Sequence, residues 1–327
     1  MQRPPEGASD QSLVTSHESL PLHRGRFAPS PTGPLHFGSL VAAVGSYLSA
    51  RHAGGEWLLR IEDLDTPREV PGSADQIIAT LDAFGFEWTG SILRQSSRRD
   101  AYESATQQLL NAGLAFHCSC TRSELLALHT NNTNGAAQCF EGDELRYPGV
   151  CRQGVRAPHR KTAVRLFVTP GETEVLDLIQ GRFTVDVSAE VGDFVIRRRD
   201  QLHAYQLAVV VDDGLQGITV IVRGADLLNS TPRQMILQRL LNLPTPMYAH
   251  LPVVTDANGI KLSKSAGAAA IDVSRPTEEL WRALRFLRQA PPPDLRRGEL
   301  ATLWEWAIKH WQLQPLNGQR QAAIEVF

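Results

Sequence analysis

The sequence predicts an α/β fold with a doubly wound parallel sheet, and three observations support this prediction. The first third alternates apolar strand-like runs with amphipathic helical stretches, which is the pattern of βαβ units. Residues 117–200 interrupt this alternation, and it resumes over residues 201–256. Helical spacing of apolar residues then dominates residues 257–327. We therefore expect one α/β domain in two halves, an insertion between them, and a short helical part at the end.

The first half of the α/β domain covers residues 24–116 and begins with a buried strand at Gly25–Ala28. A proline-rich loop follows, and apolar residues at helical spacing then predict a helix that starts near Ser39. The apolar run Trp57–Ile61 predicts the second strand. Two more helices follow, and Ser73 is a suitable N-cap for the first of them.

The second half resumes the α/β pattern with the apolar runs Ala208–Val211 and Ile218–Val222. Thr231 is a candidate N-cap for the helix after them, because a proline suits the position that follows a cap. The last helices carry a tryptophan-rich face that includes Trp304 and Trp311. That face predicts either packing of a helix on its neighbour or a stacking platform for RNA, and helical spacing favours packing.

Composition argues against several broad classes of protein. The chain has 327 residues and 42% hydrophobic content, enough for a large core, and its net charge of −2 argues against a surface that is basic throughout. RNA contacts would need a local basic patch such as Arg197–Arg199. The solvent-exposed end of a strand would explain this run of arginines equally well. No apolar run reaches the ~20 residues of a membrane span. Residues 1–23 lack a signal-peptide pattern and are predicted to be a disordered tail.

Two stretches far apart in the chain could bind a nucleotide. His36 and Gly38 stand where a loop enters a helix, and a helix N-terminus offers unpaired N–H groups to phosphate. Lys261 and Lys264 follow an Asn-Gly turn, and lysines on a mobile loop can stabilise the charge that develops when AMP is transferred to a carboxylate. Lys264 is the stronger candidate and Lys261 its support. A solvent-facing histidine and an ordinary surface loop are the alternatives.

Three cysteines of the insertion suggest a metal site. Cys118 and Cys120 are one residue apart, and Cys151 lies near the end of the same loop-rich region. Thiolates brought together in this way are suitable ligands for one structural, tetrahedral Zn²⁺. The alternative interpretation is that these cysteines are buried, reduced thiols. From the residues alone the fourth ligand stays open among His117, Cys139, His159 and a tyrosinate. Four cysteines without a secretory signal also predict a cytoplasmic protein.

Several motifs resemble those of one enzyme family. Pro31–Ser39 resembles the first signature of class I aminoacyl-tRNA synthetases, and Lys261–Ser265 resembles the second. The segments similar to glutamyl-tRNA synthetases in particular are Arg26–Ser30, Arg60–Asp65, Tyr205–Asp213 and Val222–Asp226. The resemblance implies a Rossmann-type class I synthetase catalytic domain.

The same resemblance implies which residues bind the substrates. Those implied for ATP, which would bring Mg²⁺, are His36, Gly38, Ser39, Lys261, Ser263, Lys264 and Ser265. Those implied for glutamate are Arg26, Phe27, Ala28, Pro29, Ser30, Glu62, Tyr205 and Arg223. Of these, the two arginines would bind carboxylate, the tyrosine would add a hydroxyl donor, and the glutamate would hold the α-ammonium group.

Some of these assignments have an alternative explanation, and two positions depart from the pattern of the family. Arg26 and Arg223 could instead form structural ion pairs, and the acidic residues Glu62, Asp63 and Asp65 could bind Mg²⁺. Ser39 stands where the family often has histidine, which weakens one expected ATP contact. Val209 stands where the full-length enzymes commonly have asparagine, which predicts an altered amino-acid pocket.

The layout resembles a truncated branch of the family, the glutamyl-Q tRNA(Asp) synthetases. Little chain follows Ser265, so we expect no anticodon-binding domain within residues 257–327. The Tyr-x-x-x-Cys pattern of that branch implies Tyr147 as the fourth zinc ligand. The resemblance further implies activation of L-glutamate with ATP, without tRNA, and transfer to queuosine in the anticodon of tRNA(Asp) by a monomer.

Two other functions remain compatible with the sequence. One is a shortened glutamyl-tRNA synthetase that charges a tRNA 3′ end. The other is a catalytically silent paralogue that only binds tRNA or glutamate. The presence of Lys264, His36 and Arg26 argues against the silent paralogue, because a protein that only binds tRNA or glutamate does not need the lysines of the second signature.

Overall fold

The structure is a computed structural model that describes residues 23–132, 139–140, 144–262 and 269–324. The expected disordered tail, apart from His23, lies outside these residues. The same holds for three members of the lysine loop, Ser263, Lys264 and Ser265.

Six elements form the first half. They are β1 (Arg24–Phe27), α1 (Phe37–His52), β2 (Glu56–Ile61), α2 (Ser73–Ala83), β3 (Leu93–Arg94) and α3 (Arg99–Asn111). Strand β2 pairs in parallel with β1 on one side and with β3 on the other, which is the expected βαβ arrangement. Helix α1 begins at Phe37, slightly before the expected start, because the His36 side chain accepts a hydrogen bond from the Ser39 amide and caps the helix.

The middle of the chain consists of short elements. They are β4 (Ala115–Cys118), α4 (Arg122–Asn132), β5 (Cys139–Phe140), β6 (Glu144–Leu145), β7 (Ala163–Leu166), β8 (Thr173–Asp177), β9 (Gly181–Val185), α5 (Val187–Glu190) and β10 (Val195–Arg197). Strands β10, β7 and β4 form an antiparallel sheet of their own. The β8–β9 hairpin instead belongs to the sheet of the second half.

The remaining elements complete the α/β domain and the helical end. They are α6 (Tyr205–Leu215), β11 (Val220–Gly224), α7 (Thr231–Leu240), β12 (Met247–Leu251), β13 (Val253–Thr255), α8 (Pro276–Phe286), α9 (Leu300–His310) and β14 (Gln321–Ala323). Strand β12 pairs in parallel with β11 and with β8. The Thr219 amide donates to the Arg24 carbonyl at 3.0 Å, which sets β11 beside β1. The parallel strands of the two halves therefore form one layer.

Two local predictions were wrong. The apolar run Ala208–Val211, for which no type of element was predicted, lies inside helix α6, because a short apolar run alone does not distinguish a buried helix from a buried strand. Ser73 is the first residue of α2 rather than its cap, and its hydroxyl binds the Gly33 backbone instead. Thr231 is likewise the first residue of α7, after Ser230.

The tryptophan-rich face packs in the core, as helical spacing favoured. Trp304 and Trp311 are buried, and their indole N–H groups donate to the Phe84 carbonyl and the Ser49 hydroxyl. These two rings are therefore structural and not a platform for RNA. None of the described helices has both the length and the apolar character needed to cross a bilayer.

Candidate active site

A cleft of about 930 Å³ opens at the carboxyl ends of the parallel strands. The residues after β1 and β2, the end of β11 and the N-terminus of α1 line it. Ligands of open α/β sheets bind at this edge, because the loops that follow the strands diverge there. The cleft brings together the described residues that the sequence assigned to ATP and to glutamate, although these are far apart in the chain.

The end of the cleft that the sequence predicts to bind the nucleotide, here called the nucleotide end, lies at the start of α1. His36, Gly38 and Ser39 line it. A Cβ atom on Gly38 would lie 3.1 Å from the His36 ring, which is tighter than an ordinary contact. A side chain at position 38 would therefore require the ring of the capping histidine to shift by a few tenths of an ångström.

The described ends of the lysine loop lie against the same cleft. The Leu262 amide donates to the Val254 carbonyl at 2.9 Å, and on the other side Ala270 pairs with His36. Lys261 lines the cleft and donates to Asp226 at 2.7 Å. These anchors hold both ends of the loop beside the nucleotide end.

Arg26 forms the structural ion pair that was weighed as its alternative, and it also lines the cleft. Its Nε and Nη2 atoms donate to the two carboxylate oxygens of Asp213 at 3.1 and 3.2 Å. Arg60 reaches the same carboxylate at 2.8 Å and donates to Glu62 at 3.3 Å. Burial would raise the pKa of Asp213, but the two guanidinium groups more than offset this and hold it below its usual range.

Glu62 stands at the open end of this network. Its side chain lines the cleft, and Arg60 is its ion-pair partner. Burial raises the pKa of Glu62, although the charges of Arg60 and Arg26 oppose the shift. A cationic ligand group at this position would therefore stabilise the ionised carboxylate.

Arg223 has a different environment, in which its hydrogen-bond partners are uncharged. It donates from Nε to His250 at 3.0 Å and from Nη2 to the Thr231 hydroxyl at 2.9 Å. Its Nη1 atom lies 3.5 Å from the Tyr205 hydroxyl, which also lines the cleft. Arg223 is 5% exposed, so it is a buried cation at the amino-acid end.

The suggested magnesium cluster was wrong. Asp63 accepts two hydrogen bonds of 2.7 Å from Ser96, whereas Asp65 pairs with arginines and Glu62 faces Arg60. Their oxygen atoms do not form a metal-binding group among the described residues. Each carboxylate has its own partner instead.

Residue type and spacing did not reveal the residues behind the site. Asp213 ends the segment Tyr205–Asp213, and an acidic residue within the apolar helix α6 could have indicated a buried charge that needs a partner. Asp177 and His250 gave no local signal, because they come from β8 and β12 and meet only in the sheet. Val209 is buried in the core and does not appear among the described residues that line the cleft.

A second cleft, of about 1190 Å³, adjoins the first and shares Ser30, Glu62 and Tyr205 with it. Basic side chains outnumber acidic ones along its wall. They include Arg122, Arg160, Lys161, Arg198, Arg199 and Arg233. The cleft thus provides a local positive surface in a chain with a net negative charge.

The run Arg197–Arg199 is only partly a solvated strand end. Arg197 donates to both oxygens of Glu103 at 2.7 Å, which is a structural contact. Arg198 and Arg199 line the second cleft, and Arg199 is hydrogen-bonded to the Lys161 carbonyl. Two of the three arginines therefore face a surface where an anion could bind.

The three cysteines of the expected metal site lie together. The sulfur atoms of Cys118, Cys120 and Cys151 are all within 4.8 Å of one another, and those of Cys120 and Cys151 are 3.7 Å apart. Ligand sulfurs about 2.3 Å from a tetrahedral Zn²⁺ would be separated by about 3.8 Å, so the cluster has the size of such a site.

The Tyr147 side chain lies against this cluster. Its hydroxyl lies 3.4 Å from the Cys118 sulfur and 3.9 Å from the Cys120 sulfur. His117 instead contacts the Thr162 hydroxyl, and neither it nor His159 joins the group. The side chain of Cys139 lies outside the described part of the chain.

The chain is similar to synthetases in sequence. A family model described as tRNA synthetases class I (E and Q), catalytic domain, matches residues 23–287. The glutamyl-Q tRNA(Asp) synthetase of Dechloromonas aromatica (strain RCB) is 56% identical over 297 residues, which cover 91% of this chain and 96% of that protein. The enzyme of the same name from Geobacter sulfurreducens is 51% identical, over 88% of this chain and 91% of that one.

Solved structures give the same picture of the fold. A glutamate-tRNA synthetase from Elizabethkingia anophelis is similar with a TM-score of 0.74 and 26% identity, over 93% of this chain and 68% of that one. A glutamate tRNA ligase from Elizabethkingia meningosepticum, in complex with its amino acid, has a TM-score of 0.73 over 67% of its length.

Proposed function

Since this chain belongs to the glutamyl-Q tRNA(Asp) synthetase family of class I tRNA synthetases, we propose that it activates L-glutamate with ATP and transfers it to queuosine in tRNA(Asp). The observation that carries the proposal is the cleft at the strand ends, where the nucleotide motif and the acidic-amino-acid motif meet.

In the first step an oxygen of the glutamate α-carboxylate attacks the α-phosphorus of ATP, and pyrophosphate leaves. The helix N-terminus at His36 and Gly38 faces the phosphates. Because the Nδ1 atom of His36 caps the helix, its phosphate contact would come from Nε2. Lys264, supported by Lys261, stabilises the charge on the transferred group, and Mg²⁺ accompanies the ATP phosphates.

The amino acid binds at the other end of the cleft. Arg26 and Arg223 bind its carboxylates, the Tyr205 hydroxyl donates beside Arg223, and Glu62 holds the ammonium group. Asp213 and Glu62 balance the charges of Arg26 and Arg60, so the positive charge that remains is that of Arg223. A site with this excess charge favours glutamate over glutamine. The segment Phe27–Ser30 forms the adjoining wall.

The second cleft receives the tRNA. It opens directly onto Glu62 and Tyr205, so a nucleoside held there can reach the activated carboxyl group. A hydroxyl of the queuosine cyclopentenediol then attacks the glutamyl carbonyl, and AMP leaves. Basic residues along the cleft, such as Arg198 and Arg199, bind the phosphates of the anticodon loop.

The cysteine cluster serves the fold. We propose that it holds one structural Zn²⁺ through Cys118, Cys120, Cys151 and Tyr147, because the spacing of the four side chains fits a tetrahedral ion. The ion would tie β4 to the loop at residue 151 in a region with a small core of its own. The protein acts as a monomer in this proposal, since one chain contributes both clefts.

Two assays test the proposed function. Glutamate-dependent exchange of labelled pyrophosphate into ATP, without tRNA, is expected, whereas glutamine should support little exchange. Labelled glutamate should then pass to tRNA(Asp) that contains queuosine and not to the unmodified tRNA. Equal labelling of both tRNAs would support the alternative, a shortened enzyme that charges the 3′ end. An absence of both activities would support a silent paralogue.

A further inference from the structure

The two arginines of the amino-acid end are held in different ways. Arg26 is paired with the carboxylate of Asp213. Arg223 binds a histidine nitrogen, a threonine hydroxyl, a backbone carbonyl and a tyrosine hydroxyl. Within the part of the chain that the structure describes, no carboxylate forms an ion pair with Arg223. The orientation of Arg223 therefore depends on neutral groups. Among them, the His250 ring accepts the hydrogen bond from Nε.

His250 is itself held in one orientation. The residue has no exposed surface, and its Nδ1 atom lies 2.6 Å from Oδ2 of Asp177. The other oxygen of Asp177 accepts hydrogen bonds from the Ile179 and Gln180 amides, which keep the carboxylate ionised and fixed. Nδ1 therefore carries the imidazole proton, and Nε2 is left to accept from Arg223.

We propose that Asp177 and His250 are positioning residues for substrate recognition. Asp177 fixes the tautomer of His250, and His250 in turn aims the Arg223 guanidinium at the amino-acid end of the cleft without neutralising its charge. This inference rests on the proposed function, in which Arg223 binds a carboxylate of glutamate. It also gives the β8–β9 hairpin a role, because β8 brings Asp177 to the site.

A neutral partner leaves the positive charge of Arg223 available to the substrate. A carboxylate in the place of His250 would hold the guanidinium equally well, but it would compete with the substrate for the same positive charge. An imidazole accepts the N–H of Arg223 while the negative charge of Asp177 stays one ring further away. The guanidinium is thus oriented in advance, which reduces the entropy cost of binding glutamate.

Matched variants at His250 test the proposal. In His250→Asn the amide can still donate to Asp177 but is too short to accept from Arg223. In His250→Gln the longer side chain places an oxygen near the former Nε2. We expect His250→Asn to raise the KM for glutamate in pyrophosphate exchange by about tenfold, the loss of one charge-assisted hydrogen bond. His250→Gln should recover part of this loss, and the KM for ATP should change little in either variant.

Asp177→Asn provides a second test with little change of volume. Its amide nitrogen would donate to Nδ1, so the proton of His250 would move to Nε2 and point at the Arg223 N–H. The KM for glutamate should rise as in His250→Asn. Tyr248→Phe is the control, since Tyr248 lies on the same strand as His250. This change removes the buried hydrogen bond that the Tyr248 hydroxyl accepts from Gln238 of α7 but keeps the ring that lies against Arg223.

The outcomes separate the possible explanations. An unchanged KM for glutamate in His250→Asn and Asp177→Asn, with both proteins folded by circular dichroism, would overturn the inference. If the KM for glutamate and the KM for ATP rose together, and rose in Tyr248→Phe as well, the role of these residues would be merely structural. That result would also overturn the inference. Absence of glutamate-dependent exchange in the unaltered protein would instead refute the proposed function, and the inference with it.

Discussion

Arg26 and Asp213, 187 positions apart in the chain, form a two-point ion pair at the base of the cleft. Both side chains are only 4% exposed, and Arg60 shares the same carboxylate. The pair therefore couples strand β1 to helix α6 through charges that water does not screen.

Removal of the shared carboxylate should destabilise the fold. Asp213→Ala leaves two buried guanidinium groups without their main counter-charge, so the free energy of unfolding should fall by about 3–5 kcal/mol. Urea denaturation followed by circular dichroism measures this. The exposed pair of Arg182 and Glu174 provides the control, because Glu174→Ala should change stability by less than about 1 kcal/mol. A similar loss of unfolding free energy in both variants would contradict the claim that burial makes the Asp213 pairs strong.

Lys264→Ala should abolish activation of glutamate. A cation that stabilises the transition state is worth about 100- to 1000-fold in rate, so pyrophosphate exchange should fall by at least that factor while the melting temperature stays constant. Lys309→Ala, on the last turn of α9, is a matched control that should retain full exchange. Near-normal exchange in Lys264→Ala would remove this lysine from the mechanism.

Gly38→Ala should weaken ATP binding selectively. The added Cβ would press on the His36 ring and displace the cap of α1, so the KM for ATP should rise by about tenfold with less effect on the KM for glutamate. Gly298→Ala is the comparison, because the nearest atom to a Cβ there is 3.6 Å away. An ATP KM equal in the two variants would show that the cap does not matter.

The metal site predicts which substitutions release zinc. If the proposed zinc site is present, Cys120→Ala should reduce bound zinc to near zero by elemental analysis, and Tyr147→Phe should weaken its retention against a chelator, because each variant lacks one proposed ligand. His159→Ala should retain the metal, since this residue lies outside the cluster. Full zinc content in Cys120→Ala would refute the assignment of this cysteine.

Acid should destabilise the protein partly through His250. Burial, together with the charge of Arg223, lowers its pKa to about 4 although Asp177 opposes the shift. The unfolded chain therefore binds a proton between about pH 6.5 and pH 4 that the native state does not, and the free energy of unfolding falls as pH falls through this window. His250→Asn should show a shallower fall, by up to about 1.4 kcal/mol per pH unit. Urea titrations at several pH values measure the difference, and equal slopes would contradict this account.

Local pattern was enough to predict much of this molecule. Residue type and spacing predicted the helix N-terminus at His36 and the two lysines, because phosphate favours glycine and a helix N-terminus, whereas Arg26 was assigned through the family resemblance. The structure places His36, Lys261 and Arg26 along one cleft. Residue type and spacing likewise predicted that three cysteines lie together, and the structure brings their sulfur atoms within 4.8 Å of one another. Helical spacing also predicted that Trp304 and Trp311 pack in the core.

Tertiary structure alone decided how these residues act. The sequence assigned Arg26 and Arg223 alike to carboxylate binding, but packing gives the first an acidic partner and the second a neutral histidine. Likewise the acidic side chains Glu62, Asp63 and Asp65 are adjacent in sequence yet point to separate partners. Residue type fixes which contacts a side chain can make, whereas the pairing of distant strands such as β8 and β12 fixes which of them it does make.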